Sequence, residues 1–302
     1  MKKLLCSLLT ATLFASSSAQ ADQTRHGQVE HLIQSKRGSE HQDLCEDGLF
    51  YNDRFLVVVD GASDKTGRRY HGHTGGWHCK ESVLRVFRRL QGGEEPVEIV
   101  KEINRELGEL YSKFGIDPKA SPELRFSSVL IWYDFKRKGL YAIGDCKARV
   151  DGELFNHEEK LVDRLNSQVR AEVLNALEID LSRPLPTDPG RDYITPLLKG
   201  QSRYQNNPQA PQALQYWVID GTAVPADKIV TRSFAHTPGV IELSSDGYAE
   251  FPATASIEAY EEELRSLLRE DPNLAVRVKS TKGVREGNAS FDDRTILIFQ
   301  KP

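Results

Sequence analysis

Three aspartates follow directly on hydrophobic runs that read as β-strands. Asp60 follows Phe55-Leu56-Val57-Val58-Val59, Asp145 comes just after Gly139–Ile143, and Asp246 follows Gly239–Ser245. Asp292 and Asp293 lie just ahead of a further run, Thr295–Phe299, and Glu46-Asp47 precede Leu49–Tyr51. A strand end fixes a carboxylate on the rim of a rigid sheet. Several carboxylates on one rim repel each other unless a cation neutralises them, and an all-oxygen cluster suits the hard ions Mg²⁺ and Mn²⁺. Each aspartate also has an ordinary explanation, because Asp-Gly favours hairpin turns. Asp47-Gly48, Asp151-Gly152 and Asp220-Gly221 repeat the pair elsewhere. Composition alone does not bring these carboxylates together.

Other polar residues invite weaker readings. His71-Gly72-His73, His78 and Cys79 do not match an ordinary structural-zinc spacing, and a solvated loop accounts for the first two. Arg68 and Arg69 suit either bidentate grip of a phosphate or an exposed basic turn. Cys45 and Cys146 flank Glu46 and Asp145; strand alternation points them away from the carboxylates and into the core. Cys45, Cys79 and Cys146 allow at most one internal bridge, or three buried thiols, and the sequence leaves both open.

The elements that must position these groups alternate along the chain. Asp22 to Asp43 reads as a loose polar arm with a first strand. Helices are expected at Trp77–Leu90 and from about Glu95 to Phe114, where Val97, Val100, Ile103, Leu107, Leu110 and Phe114 recur at helical spacing. Ser127–Tyr133 and Gly139–Ile143 read as paired strands, Val150–Leu154 as a short hairpin, and Leu161–Leu177 as a helix. Arg183 to Ala213, rich in Pro, Asn and Gln, reads as a long functional loop or flap. Tyr216–Ile219 reads as a strand and Ile257–Leu268 as a helix. Neither an internal repeat nor a clear linker appears, so 22–302 is expected to form one mixed domain.

The first 21 residues look separate from that domain. Lys2 and Lys3 precede an apolar stretch, Leu4–Phe14, and then small residues ending in Ala19-Gln20-Ala21. This is the pattern of a cleaved export signal, with cleavage expected after Ala21 and a periplasmic or secreted product. The stretch is too short to span a bilayer, and no later stretch is long and apolar enough to do so. Cleavage would remove two lysines and make the chain more acidic than its formal charge of −4. That balance and a pI near 6.1 argue against a nucleic-acid partner. A hydrophobic fraction of 39% supports a core, and four cysteines in 302 residues exclude a disulfide-built scaffold.

The carboxylates also fall into an ordered set. Glu46-Asp47, Val58-Val59-Asp60-Gly61, Ala142-Ile143-Gly144-Asp145-Cys146, Leu243-Ser244-Ser245-Asp246-Gly247 and Phe291-Asp292-Asp293-Arg294-Thr295 together resemble the metal-dependent type 2C protein phosphatase family, over about Gly38 to Phe299. The resemblance implies an α+β fold, a four-layer α-β-β-α sandwich with two central antiparallel sheets. It also implies two Mn²⁺ or Mg²⁺ ions, with Asp60 bridging them, the Gly61 carbonyl and Glu46 on one, and Asp246 and Asp292 on the other. Asp292 aligns better than Asp293. Asp145 and Glu250 are the implied partners of a third ion, and Asp47 orients water.

The chain departs from the family pattern after Asp60-Gly61, where Ala62 replaces a His and the glycine pair is delayed to Gly75-Gly76. His71 or His73 is the candidate general acid. The family arginine before Glu46 is absent, which leaves Arg68 and Arg69 as candidate phosphate ligands. The implied activity is hydrolysis of phosphoserine, phosphothreonine or another small phosphomonoester by a metal-activated water, without a cysteine nucleophile. The alternatives are a non-catalytic module that binds a metal or a phosphorylated ligand, and a metal-free protein whose aspartates only make turns.

Overall fold

A computed structural model describes residues 20–62, 65–156 and 160–302. The expected signal lies almost entirely outside them. Its last two residues, Gln20 and Ala21, open strand β1 (Gln20–Thr24) and pair with His31 and Glu30 of β2 (Gly27–Gln34). The polar arm therefore holds two strands where one was expected.

Two antiparallel sheets form the centre. The first, in spatial order, is β1, β2, β11 (Arg294–Gln300), β10 (Val240–Ser244), β7 (Lys147–Val150) and β8 (Glu153–Phe155). The second is β3 (Gly48–Tyr51), β4 (Phe55–Gly61), β5 (Ser128–Asp134), β6 (Gly139–Ile143) and β9 (Val230–Ser233). Central strands read as continuous apolar runs because both faces are covered. Strand alternation divides them cleanly. Leu56 and Val58 of β4 and Ile131 of β5 face the other sheet and meet Ile241, Leu243 and Leu297. Phe55, Val57 and Val59 face outward onto α1 (Gly75–Arg89) and α2 (Pro96–Phe114). Leu32, Ile296 and Ile298 leave the opposite side and pack under α5 (Ile257–Glu270). These four layers are the α-β-β-α sandwich that the family resemblance implies.

The segment 183–213 is not the open loop its composition suggests. It contains α4 (Pro189–Gly200), which packs on α3 (Leu161–Ala176). Asp188 caps this helix by accepting from Arg191 N, and Pro189 takes the first helical position, where no amide hydrogen is needed. Tyr216–Ile219 is not a strand. Its backbone pairs with other segments through isolated bridges rather than a ladder, and the Asn206 side chain bonds both Val218 N and Val218 O. The three cysteines among the described residues are buried and unpaired, and burial pushes the Cys79 thiol up to about 12. Among the described residues no helix is long and apolar enough to cross a membrane.

Candidate metal and phosphate site

Antiparallel register brings the predicted carboxylates, Glu250 excepted, to one rim. Val59, near the end of β4, pairs with Gly48 at the start of β3, so Glu46 and Asp47 arrive beside Asp60. The end of β6 lies beside the start of β5, and from there the chain crosses through Gly144-Asp145 into β7 of the other sheet. Gly144 takes a positive φ of 85° at this crossing, and a Cβ there would stand 2.1 Å from a Val129 methyl. In the first sheet Ser244 pairs with both Ile296 and Lys147, which places Asp246, Asp292 and Asp145 at the same end.

Close backbone packing supports the rim. A Cβ on Gly61 would lie 2.6 Å from the Gly76 carbonyl oxygen and 2.7 Å from that of Glu46. The delayed glycine pair thus returns in space onto Gly61. The N-cap of α1, Thr74, donates its hydroxyl to Glu46 Oε1 at 2.6 Å, which orients the buried glutamate.

A cavity of about 340 Å³ opens at this rim, lined by Asp60, Gly61, Asp145, Asp246 and Asp292. Burial raises the Asp60 carboxyl above the usual carboxylate range, and Asp246, Asp47, Asp292 and Asp145 push it further the same way. Asp246 is raised by burial and by Asp292, and its Oδ1 is buried with no hydrogen-bond partner. Burial and then Asp293 raise Asp47, whose Oδ2 is also without a partner. Asp292 differs. Burial alone would raise it, but Lys282 and Lys36 outweigh burial and hold it below the carboxylate range. Lys36 Nζ lies 3.2 Å from Asp292 Oδ1, and Lys282 pairs with Oδ2.

The structure places the remaining candidates as follows. Asp293 turns away from the cavity lining and accepts from Lys36 N and Glu46 N, both at 2.8 Å. Asp145 pairs with Lys160 at 2.9 Å. Glu250 is exposed, pairs with Arg277 at 2.6 Å and does not line the cavity. Arg68 and Arg69 are exposed and outside the lining, with Arg69 donating to Gly72 O. His71 packs edge-on against Phe114, and His73 stacks on Trp77 at 3.8 Å, both away from the lining. Sequence reasoning missed the cations of this cavity, namely Lys65, Lys147, Lys160, Arg191, Lys279 and Lys282. The capping pattern Asp188-Pro189 is a helix-start signal that could have placed Arg191 in a first helical turn.

The donor set suits a hard divalent cation. It consists of carboxylate oxygens and one backbone carbonyl, crowded enough to repel one another, with one orphaned buried oxygen. Among the described residues, no three His, Cys, Asp or Glu side chains stand close enough to share one ion. Lys36, Lys282 and Lys160 neutralise part of the charge. An ion would therefore have to draw the rim inward and compete with Lys282 for Asp292.

No protein-family model matches the chain, and no curated protein sequence matches it. Solved structures similar to it include the Mycobacterium tuberculosis serine/threonine phosphatase PstP, with 18% identity over 94% of this chain and 97% of that one, at a TM-score of 0.43. Serine/threonine phosphatase Stp1 from Staphylococcus aureus has 14% identity over 93% of this chain and 97% of that one, at a TM-score of 0.45. RsbX in complex with magnesium has 12% identity over 94% of this chain and all of that one, at a TM-score of 0.46.

Proposed function

We propose that this chain is a metal-dependent phosphomonoester hydrolase of the protein serine/threonine phosphatase type. The observation that carries the reading is convergence. Motifs far apart in sequence, in the order of the type 2C family, deliver Asp60, Asp145, Asp246 and Asp292 to one cavity. Asp60, the Gly61 carbonyl and Glu46 would hold one Mn²⁺ or Mg²⁺, and Asp60, Asp246 and Asp292 a second, with Asp145 offered to a third. Bound there, the ions would supply Lewis-acid activation of water and charge neutralisation at phosphorus. The protein's own contribution is orientation. Thr74 fixes Glu46, Gly61 keeps the backbone close to it, and the half-buried rim limits water around the developing charge. In the overall reaction a water oxygen bonds to phosphorus, the ester P–O bond breaks, and phosphate and an alcohol leave. The substrate class is a phosphoprotein or a small phosphorylated molecule, and export of the enzyme rests on residues 1–21.

A second reading, a module that binds a metal or a phosphorylated ligand without turnover, is favoured by the ion pairs of Lys36 and Lys282, which occupy the Asp292 carboxylate. Hydrolysis of p-nitrophenyl phosphate separates the two. The phosphatase reading expects Mn²⁺-dependent turnover that is abolished by EDTA and lost in Asp246→Asn. Metal or phosphate binding without turnover would establish the module instead.

A further inference from the structure

The cavity is lined by cations as well as by carboxylates. Lys65 follows β4, Arg191 stands in the first turn of α4, and Lys282 comes from the stretch between α5 and β11. Lys282 is committed to Asp292. Arg191 is held differently. Its Nη1 donates to the Thr281 carbonyl at 2.6 Å, and its backbone amide donates to Asp188 Oδ1 at 2.8 Å. Among the described residues its guanidinium has no carboxylate at ion-pair distance, so most of its donors stay available in a fixed, planar fork. Burial, and then Arg191 and Lys282, lower the Lys65 ammonium to about 8 against the opposing pull of Glu46 and Asp292. Glu46 and Asp292 offset only part of this repulsion at Lys65, and a further anion seated among the cations would relieve more of it.

We propose that Arg191, seconded by Lys65, is the phosphoryl-binding side of the cavity, gripping the oxygens of a phosphomonoester presented to the carboxylate rim. The assignment of substrate class rests on the hydrolase reading, whereas anion binding by these cations does not. It replaces Arg68 and Arg69 with a residue from the 183–213 segment. Substrate anchoring therefore depends on α4, an element outside the two-sheet sandwich.

The test is calorimetric titration of inorganic phosphate into the full chain, run beside p-nitrophenyl phosphate kinetics. Arg191→Ala is expected to weaken phosphate binding and raise KM by about tenfold or more, with a smaller change in kcat, because bonds to ionised groups are the strong ones. Arg191→Lys should recover part of the loss, and Lys65→Ala should weaken binding less. Arg191→Gln, which retains a donor for Thr281, serves if the alanine variant melts early. Native phosphate affinity and KM in a folded Arg191 variant would overturn the proposal, as would a native chain that binds no phosphate. Phosphate binding that is lost in Arg191→Ala, in a chain without turnover, would sustain the anion site and remove the hydrolase reading alone.

Discussion

Asp60→Asn should make the metal-free protein more stable while removing its hydrolytic activity. Asp60 sits half-buried among Asp246, Asp47, Asp292 and Asp145, and burial and repulsion both disfavour its charge. Asparagine keeps the shape and deletes the charge. The expected gain is a rise of about 2 °C or more in thermal midpoint, the shift that about 1 kcal/mol produces in a large domain. Activity should fall at least about 100-fold, since even residues that merely support metal ligands cost 10–100-fold.

The sign of the pH dependence follows from the same groups. Asp60, Asp47 and Asp246 have raised folded-state pKa values, so above about pH 4 the folded chain holds more protons than the unfolded one. Their stabilising protonation is complete below the unfolded value and is lost as pH rises through the folded values. Asp292 is shifted the other way, and its contribution is lost only as pH falls below the usual carboxylate range. Melting in EDTA at a series of pH values above the ordinary carboxylate range should therefore show the stability advantage of Asp60→Asn over the native chain growing as pH rises. An unchanged or lower midpoint in the variant at pH 7 would contradict the crowding of the rim.

Arg170→Met should cost about 3–5 kcal/mol of folding free energy, the usual result of breaking a buried charge pair from one side. Arg170 is fully buried at 0% exposure. Its Nε donates to Asp188 Oδ2 at 2.8 Å, and its Nη atoms donate to the carbonyls of Asn273, Leu274 and Ser280 at 2.9 to 3.1 Å. One guanidinium thus joins α3, the N-cap of α4 and the loop that carries Lys279 and Lys282. Methionine preserves much of the volume but leaves those carbonyls and Asp188 without their donor. Urea denaturation should show a lower midpoint, and phosphate affinity should fall because Asp188 positions Arg191. A loss below about 1 kcal/mol would mean the loop rearranges to satisfy its carbonyls without the arginine.

The sandwich was legible because its signals are local and mutually consistent. Phe55–Val59 is an unbroken apolar run, α2 carries its apolar residues at helical spacing, and the predicted carboxylates other than Glu250 stand beside strands. The rim was legible only through the order of the motifs, since no single Asp-Gly pair distinguishes a ligand from a turn. The cations of the cavity were not legible. Lys65, Arg191 and Lys282 are distant in sequence, and their meeting depends on how α4 and the 271–283 loop dock through Arg170. The exposed pair Arg68-Arg69 carried a stronger sequence signal than the half-buried Arg191, and the 65–74 turn takes that pair out of the cavity. The strand expected at Tyr216–Ile219 failed for a related reason, because its backbone pairs through isolated bridges rather than a ladder and its Val218 bonds the side-chain amide of Asn206.

The central claim is that the rim carboxylates form a cation site, and calorimetric titration of Mn²⁺ into the full chain addresses it without requiring turnover. Saturable binding by the native protein is expected, with loss of that binding in Asp60→Asn and Asp246→Asn. Absence of saturable Mn²⁺ binding in the native chain, or equal binding in both variants, would contradict it.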